Sequence, residues 1–185
     1  MVQRIKKHKP QIGIIKIGFG NINSVISIFE KLKKNIKIIN KKNQIKGVDT
    51  LVVSGHGNFE YAIRTLKKKD LFSEIKKHIL KNKNYIGICL GAQILCKKSD
   101  ESNLEGLNLI NVNVSKLPKK NSFKVPHIGW NQIKNSGCKK VDWLKNFNFL
   151  DFYFAHSYFL NFKKKKKSNI NVLRIFSSYP SNYKI

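Results

Sequence analysis

Tyr85-Ile86-Gly87-Ile88-Cys89-Leu90-Gly91-Ala92-Gln93-Ile94-Leu95 decides how this chain is read. A short apolar run meets Gly-x-Cys-x-Gly and passes at once into a helical pattern. That order describes a nucleophile elbow: a strand, a sharp turn and a helix, with the nucleophile at the tip in strained backbone geometry. Gly87 and Gly91 let the strand and helix backbones approach. A cysteine at a helix N-terminus meets free N–H groups and the positive end of the macrodipole, which favour thiolate over thiol. The same N–H groups can hold an oxyanion. The alternative is a buried cysteine on a core strand, the usual place of a lone Cys. The flanking glycines favour the elbow, and the chemistry expected is acyl transfer through Cys89.

Around this stretch, strand-like and helix-like patterns alternate. Gln11 to Ile17 is β-rich and runs into Gly18-Phe19-Gly20-Asn21, where Asn21 or Asn23 can cap a helix. Val25, Ile26, Ile28, Phe29 and Leu32 have helical spacing within Ile22 to Leu32. Ile36 to Ile39 and Val48 to Val53 read as strands, the second ending in Ser54-Gly55-His56-Gly57. Helices are predicted over Tyr61 to Leu66 and Leu71 to Leu80. A strand over Tyr85 to Ile88 leads to the elbow, and a helix over Ala92 to Lys97 follows it. The alternation implies an α/β fold with a mostly parallel sheet. Its active site is expected outside the carboxyl ends of the strands, where the three glycine turns can converge. Beyond Gly106 shorter strands are predicted: Leu107 to Ile110, Val112 to Val114, Lys124 to Pro126, Phe149 to Phe154 and Val172 to Phe176.

Length and composition narrow the class. A chain of 185 residues with 41% hydrophobic content builds one domain with a sizeable core. No apolar run is long enough to span a bilayer. The basic start, Met1 to Pro10, leads into a short glycine-broken run that reads as a first strand, so a cytoplasmic protein is expected. The three cysteines, Cys89, Cys96 and Cys138, form neither a disulfide framework nor a zinc site. A formal charge of +27 raises the question of nucleic acid. The basic residues are spread over the whole chain among many Ile and Asn, the mark of a biased codon pool and not of a selected patch. Lys163 to Lys167 reads as a solvated loop. Non-specific polyanion binding at low salt is expected, and specific nucleic-acid or membrane binding is not.

Gly18-Phe19-Gly20-Asn21-Ile22, Ser54-Gly55-His56-Gly57, Gly87 to Gln93, Pro126-His127-Ile128-Gly129-Trp130-Asn131 and His156-Ser157-Tyr158 occur in this order. Together they resemble the class I glutamine amidotransferases, and among these the glutaminase subunits of imidazole glycerol phosphate synthases. The elbow is common to many amidotransferases; the Pro-His-Ile-Gly-Trp-Asn segment and the Gly-x-Gly-Asn turn are much more specific. The resemblance implies a flavodoxin-like, mostly parallel sheet flanked by helices. It implies a single amidotransferase domain over residues 1–185, incomplete at the C-terminus.

Carried over position by position, the resemblance makes Cys89 the nucleophile that attacks the carboxamide of L-glutamine. Leu90 N–H becomes one oxyanion donor, and the loop of Gly55 and His56 supplies the second. In that loop the family usually has Pro-Gly-Val-Gly, so Ser54 and His56 are departures. Gln93 would hold the substrate, Glu101 its amino group, and the main chain of Ser157 and Tyr158 its backbone end. Pro126, His127, Trp130 and Asn131 would lie near the path to a (β/α)8-barrel synthase partner in a heterodimer. No metal or cofactor is implied. Judged as residues alone, His127 reads as a core histidine more readily than a catalytic one, Trp130 can be plain core, and His56 can be an exposed loop residue.

Cysteine-based amide hydrolysis needs a base beside the thiol and a carboxylate to orient it. The family draws both from a late Phe-His-Pro-Glu type motif, which residues 1–185 do not contain. His156 is the last histidine and matches the substrate-binding segment instead. General acid–base help is worth roughly two to four powers of ten in rate. The expectation is therefore either a truncated record of an ordinary glutaminase or a degenerate subunit that stabilises its partner without hydrolysis. A paralogue feeding ammonia to a surface-sugar synthase is a further alternative.

Overall fold

The computed structural model describes residues 9–119, 124–134, 150–162 and 176–177. Four strands form a wholly parallel sheet in the order β2-β1-β3-β4: β1 Gln11–Lys16, β2 Asn35–Ile38, β3 Thr50–Gly55 and β4 Asn84–Cys89. β1 lies at the centre because its Ile14, Ile15 and the following Ile17 are fully buried. Such near-continuous apolar runs suit a parallel strand covered on both faces. The chain leaves β1 to one side for β2 and returns on the other for β3. That reversal opens a crevice at the carboxyl ends of β1 and β3, where ligands bind in sheets of this kind.

Three helices link these strands. α1, Ile22–Lys31, is capped by Asn21, whose side chain accepts from Asn23 N–H at 3.1 Å. None of its residues is fully buried; Val25, Ile26 and Phe29 are half-buried, while Ile28 stays exposed. α2, Phe59–Lys68, buries Phe59, Ala62, Ile63 and Leu66, an i, i+3, i+4, i+7 stripe. α3, Leu71–Leu80, buries Leu71, Ile75, His78 and Ile79. These side chains and the sheet form the principal core.

The helix expected over Ala92 to Lys97 is not there. α4 spans one turn, Leu90–Gln93, and the chain then becomes strand β5, Cys96–Ser99. The carbonyls that follow α4 pair with a later segment. Ile94 O accepts from Leu107 N–H at 2.8 Å, Leu95 O from Leu109 N–H at 2.9 Å, and Lys97 O from Gly106 N–H at 2.9 Å. Leu107 and Leu109, expected in a strand, are instead buried in the principal core. β5 continues into a second sheet, β5-β6-β9, with β6 Ile110–Lys116 and β9 Tyr158–Asn161.

A third sheet has the order β10-β7-β8, with β7 His127–Lys134, β8 Leu150–His156 and β10 Phe176–Ser177. Its β7 begins at His127, not at the predicted Lys124 to Pro126, because Pro126 has no N–H to give a ladder. The expectations for Met1 to His8, Cys138, Phe149, Lys163 to Lys167 and most of Val172 to Phe176 fall outside the described residues. Among the described residues no helix is long and apolar enough to cross a membrane.

Buried histidine makes the fold acid-sensitive. His78 is 4% exposed and donates its Nε2–H to Asn84 O at 3.1 Å. Burial holds its imidazole below the usual histidine range. The unfolded chain therefore takes up that proton first, near the ordinary value of about 6.5. His78 contributes stability in full above that pH, and the contribution declines as pH falls toward the lowered folded value. Urea unfolding between pH 8 and pH 5 should show the midpoint dropping below about pH 6.5, and His78→Gln should flatten that drop.

Candidate active site

Cys89 stands where β4 turns into α4, with φ 54° and ψ −112°. A non-glycine residue at positive φ is strained, and such strain persists only where neighbouring contacts impose it. Here the imposing contact is backbone on backbone. A Cβ added at Gly91 would collide with Val53 O, so only glycine lets α4 rest directly on β3. Tyr85 on β4 locks the turn by donating its phenol to Gly91 O at 2.6 Å. Burial raises the Tyr85 phenol far above its ordinary value, which keeps it a donor.

The Cys89 thiol reaches solvent. Burial by the surrounding walls raises its pKa, the neighbouring Leu90 N–H lowers it by less, and the net direction is upward. This corrects the expectation of a favoured thiolate. A one-turn helix has few aligned peptide dipoles, so its N-terminus offsets little of the desolvation cost.

The two glycine turns lie beside each other. Phe19 N–H donates to His56 O at 2.8 Å, and His56 N–H donates to Phe19 O at 2.9 Å. Gly55 sits so close to Ile17 O that a Cβ would overlap it. The His56 N–H, expected among the oxyanion donors, is thus committed to Phe19 in this conformation. The Phe19 ring stacks on Tyr61 at 5.7 Å.

Gln93 lies one turn beyond Cys89, on the same face of the chain. Its Nε2 donates to Tyr158 O at 3.4 Å. Glu101 accepts from Phe59 N–H at 2.7 Å, at the N-terminus of α2, where negative charge is favoured. It is also close to Tyr158, whose phenol is raised by desolvation first and by Glu101 and Asp100 next. Ser157 sits between β8 and β9, its carbonyl held by Leu117 N–H at 2.8 Å.

Pro126, His127, Trp130 and Asn131 do not act as one group. Strand alternation puts Ile128 and Trp130 on the outer face of β7, 61% and 70% exposed, so Trp130 is not core. His127 and Asn131 share the opposite face, with His127 Nε2 3.2 Å from Asn131 Oδ1. His127 is 1% exposed and meets His156 across the ladder, Nδ1 to Nε2 at 3.0 Å. His156 Nδ1 donates to Tyr158 O at 2.9 Å. Both nitrogens of His156 are thereby occupied, and it is not placed to act as base toward Cys89. This histidine pairing and the Tyr85 clamp escaped the sequence reading, because no local pattern reports which residues face each other across a ladder.

Residues 18–131 match the CobB/CobQ-like glutamine amidotransferase domain. A solved glutamine amidotransferase aligns with a TM-score of 0.60 at 16% identity, over 78% of this chain and 70% of its own. Another, from Thermotoga maritima, aligns with a TM-score of 0.57 at 17% identity, over 83% and 63%. These show the fold. The imidazole glycerol phosphate synthase subunit HisH of Prochlorococcus marinus subsp. pastoris is 36% identical over 92% of this chain and 80% of its own. That of Caldanaerobacter subterraneus subsp. tengcongensis is 42% identical over 83% and 75%. The chain belongs to the class I glutamine amidotransferases, in the family of imidazole glycerol phosphate synthase HisH subunits.

The upward shift at Cys89 has a direct readout. Alkylation of Cys89 by iodoacetamide, followed by peptide mass, should keep accelerating past the ordinary thiol value of about 8.5. Cys96 is fully buried and pushed up to about 12, and it should stay unlabelled until the chain unfolds. A rate at Cys89 that levels off below pH 7 would reinstate the thiolate.

Proposed function

We propose that this chain is the glutamine-hydrolysing subunit of imidazole glycerol phosphate synthase in histidine biosynthesis. The observation that carries this reading is Cys89 at φ 54° on the turn from β4 into α4, open to solvent. In this role the Cys89 sulfur attacks the side-chain amide carbon of L-glutamine. A C–S bond forms as charge develops on the amide oxygen, and Leu90 N–H stabilises that charge. The C–N bond then breaks, the thiol proton is carried to the departing ammonia by a base that the described residues do not supply, and a thioester remains. Water cleaves the thioester to glutamate and restores the thiol.

A second oxyanion donor would come from Gly55 or His56, and for His56 the bridge to Phe19 must open first. Gln93, Glu101 and the Ser157–Tyr158 main chain would hold the substrate. Their positions support this, since Gln93 and the Tyr158 carbonyl are already hydrogen-bonded and Glu101 lies beside Tyr158.

Ammonia would pass to a (β/α)8-barrel synthase subunit. The outer face of β7 and β8 suits the docking of such a partner. Ile128, Trp130 and Tyr153 are exposed there, and the Trp130 and Tyr153 rings meet edge-on at 5.6 Å. Exposed aromatic pairs of this type dominate the energy of protein interfaces.

With the barrel partner present, Cys89→Ala should reduce glutamine-dependent synthesis to background while synthesis from added ammonium continues. Retention of glutamine-dependent turnover would refute Cys89 as nucleophile. Trp130→Ala should weaken the complex at least about tenfold, or about 1.4 kcal/mol. An unchanged Kd by calorimetry would move the docking face elsewhere.

A further inference from the structure

β7 and β8 pair antiparallel with His127 directly opposite His156. Their rings meet at 70° with centroids 5.1 Å apart, and Phe154 stacks on His127 at 5.0 Å. The hydrogen bonds through the pair run in one direction. Tyr158 O is a carbonyl and only accepts, so the proton on His156 sits on Nδ1. The Nε2 of neutral His156 then accepts, and His127 Nδ1 must be the donor to it. The far nitrogen of His127 faces the Asn131 amide, which can present its NH2 to a neutral ring or its oxygen to a cation. Burial lowers both imidazoles below the usual range, in keeping with a largely neutral pair.

The near end of this chain is the segment that matters for substrate. Tyr158 O takes the His156 proton and also the Gln93 amide, one turn from Cys89. Ser157 O is held from outside by Leu117 N–H. If His127 were absent, His156 Nε2 would lose its donor, and the ring could change tautomer or turn away. The Tyr158 carbonyl would then lose its stronger hydrogen bond.

We propose that His127 is a positioning residue for glutamine, acting through His156 to fix the Ser157–Tyr158 main chain against Gln93. The proposal rests on the glutaminase reading above. His127 does not touch the reacting atoms, so its effect should appear in binding and not in the reactivity of the thiol.

The test uses the full chain and a glutamine analogue carrying a diazoketone, which alkylates a cysteine only after binding as glutamine does. The half-saturating concentration for inactivation is compared among wild type, His127→Asn and His127→Phe. The Asn amide nitrogen can occupy the place of Nδ1 and donate to His156; Phe fills the volume and donates nothing. His127→Phe should raise the half-saturating concentration about tenfold, and His127→Asn should stay close to wild type. Iodoacetamide should label Cys89 equally in all three. Equal constants in both variants overturn the proposal, because a purely structural role does not separate Asn from Phe. Should His127→Phe not fold, Asn131→Ala replaces it with a rise of about threefold, and no rise overturns the proposal. A wild type that shows no saturation with the diazoketone refutes the glutaminase reading itself, and this inference with it.

Discussion

The contact of Gly91 with Val53 O holds the rest of the site in place. Because no side chain intervenes, α4 lies directly on β3, and Cys89 is forced to positive φ at the mouth of the crevice. α4 then starts at Leu90, so its first N–H lies directly after Cys89. Preorganised donors of this kind cost no reorganisation when charge develops, which is why the backbone and not a flexible side chain carries them. The strain at Cys89 is sustained by Leu90, 1% exposed in the core, and by the Tyr85 clamp.

From this fixed point the second and third sheets extend the site. α4 ends after one turn, the chain becomes β5, and the 94–97 carbonyls accept from residues 106–109. That change of direction brings Glu101 to the N-terminus of α2 and, through β6 and β9, Tyr158 to Gln93. A longer α4 would have carried Glu101 away from both. The same shortness removes most of the dipole that might have favoured a thiolate, so burial sets the sign of the Cys89 shift. β7 and β8 then divide their residues by the period of a strand. The outer face carries Trp130 and Tyr153 to solvent, and the inner face carries the His127–His156 pair toward the Tyr158 carbonyl.

Much of the fold was legible from local pattern. The apolar runs of β1, β3 and β4, the helical spacing of α1 and the glycine turns were all legible locally. So was the Asn21 cap. Each depends on contacts within a few residues or on the simple demand that apolar groups leave water. The errors also have local causes. Ala92 to Lys97 has helical spacing, and nothing within it announces that Cys96 to Ser99 will pair with β6. Lys124 to Pro126 reads as a short strand, yet Pro126 has no N–H to give and β7 starts at His127.

The sequence by itself pointed to acyl transfer at Cys89, because Gly-x-Cys-x-Gly between an apolar run and a helical pattern has few physical solutions. It also determined the family, through motifs in a fixed order along the chain. Only the tertiary structure decided the direction of the Cys89 shift, the commitment of His56 N–H to Phe19, and the division of the Pro126–Asn131 segment between two faces. It alone placed His127 against His156. The reason is the same in each case. Burial, ladder register and hydrogen-bond competition depend on residues far apart in the chain, and their balance is fixed only when those residues meet.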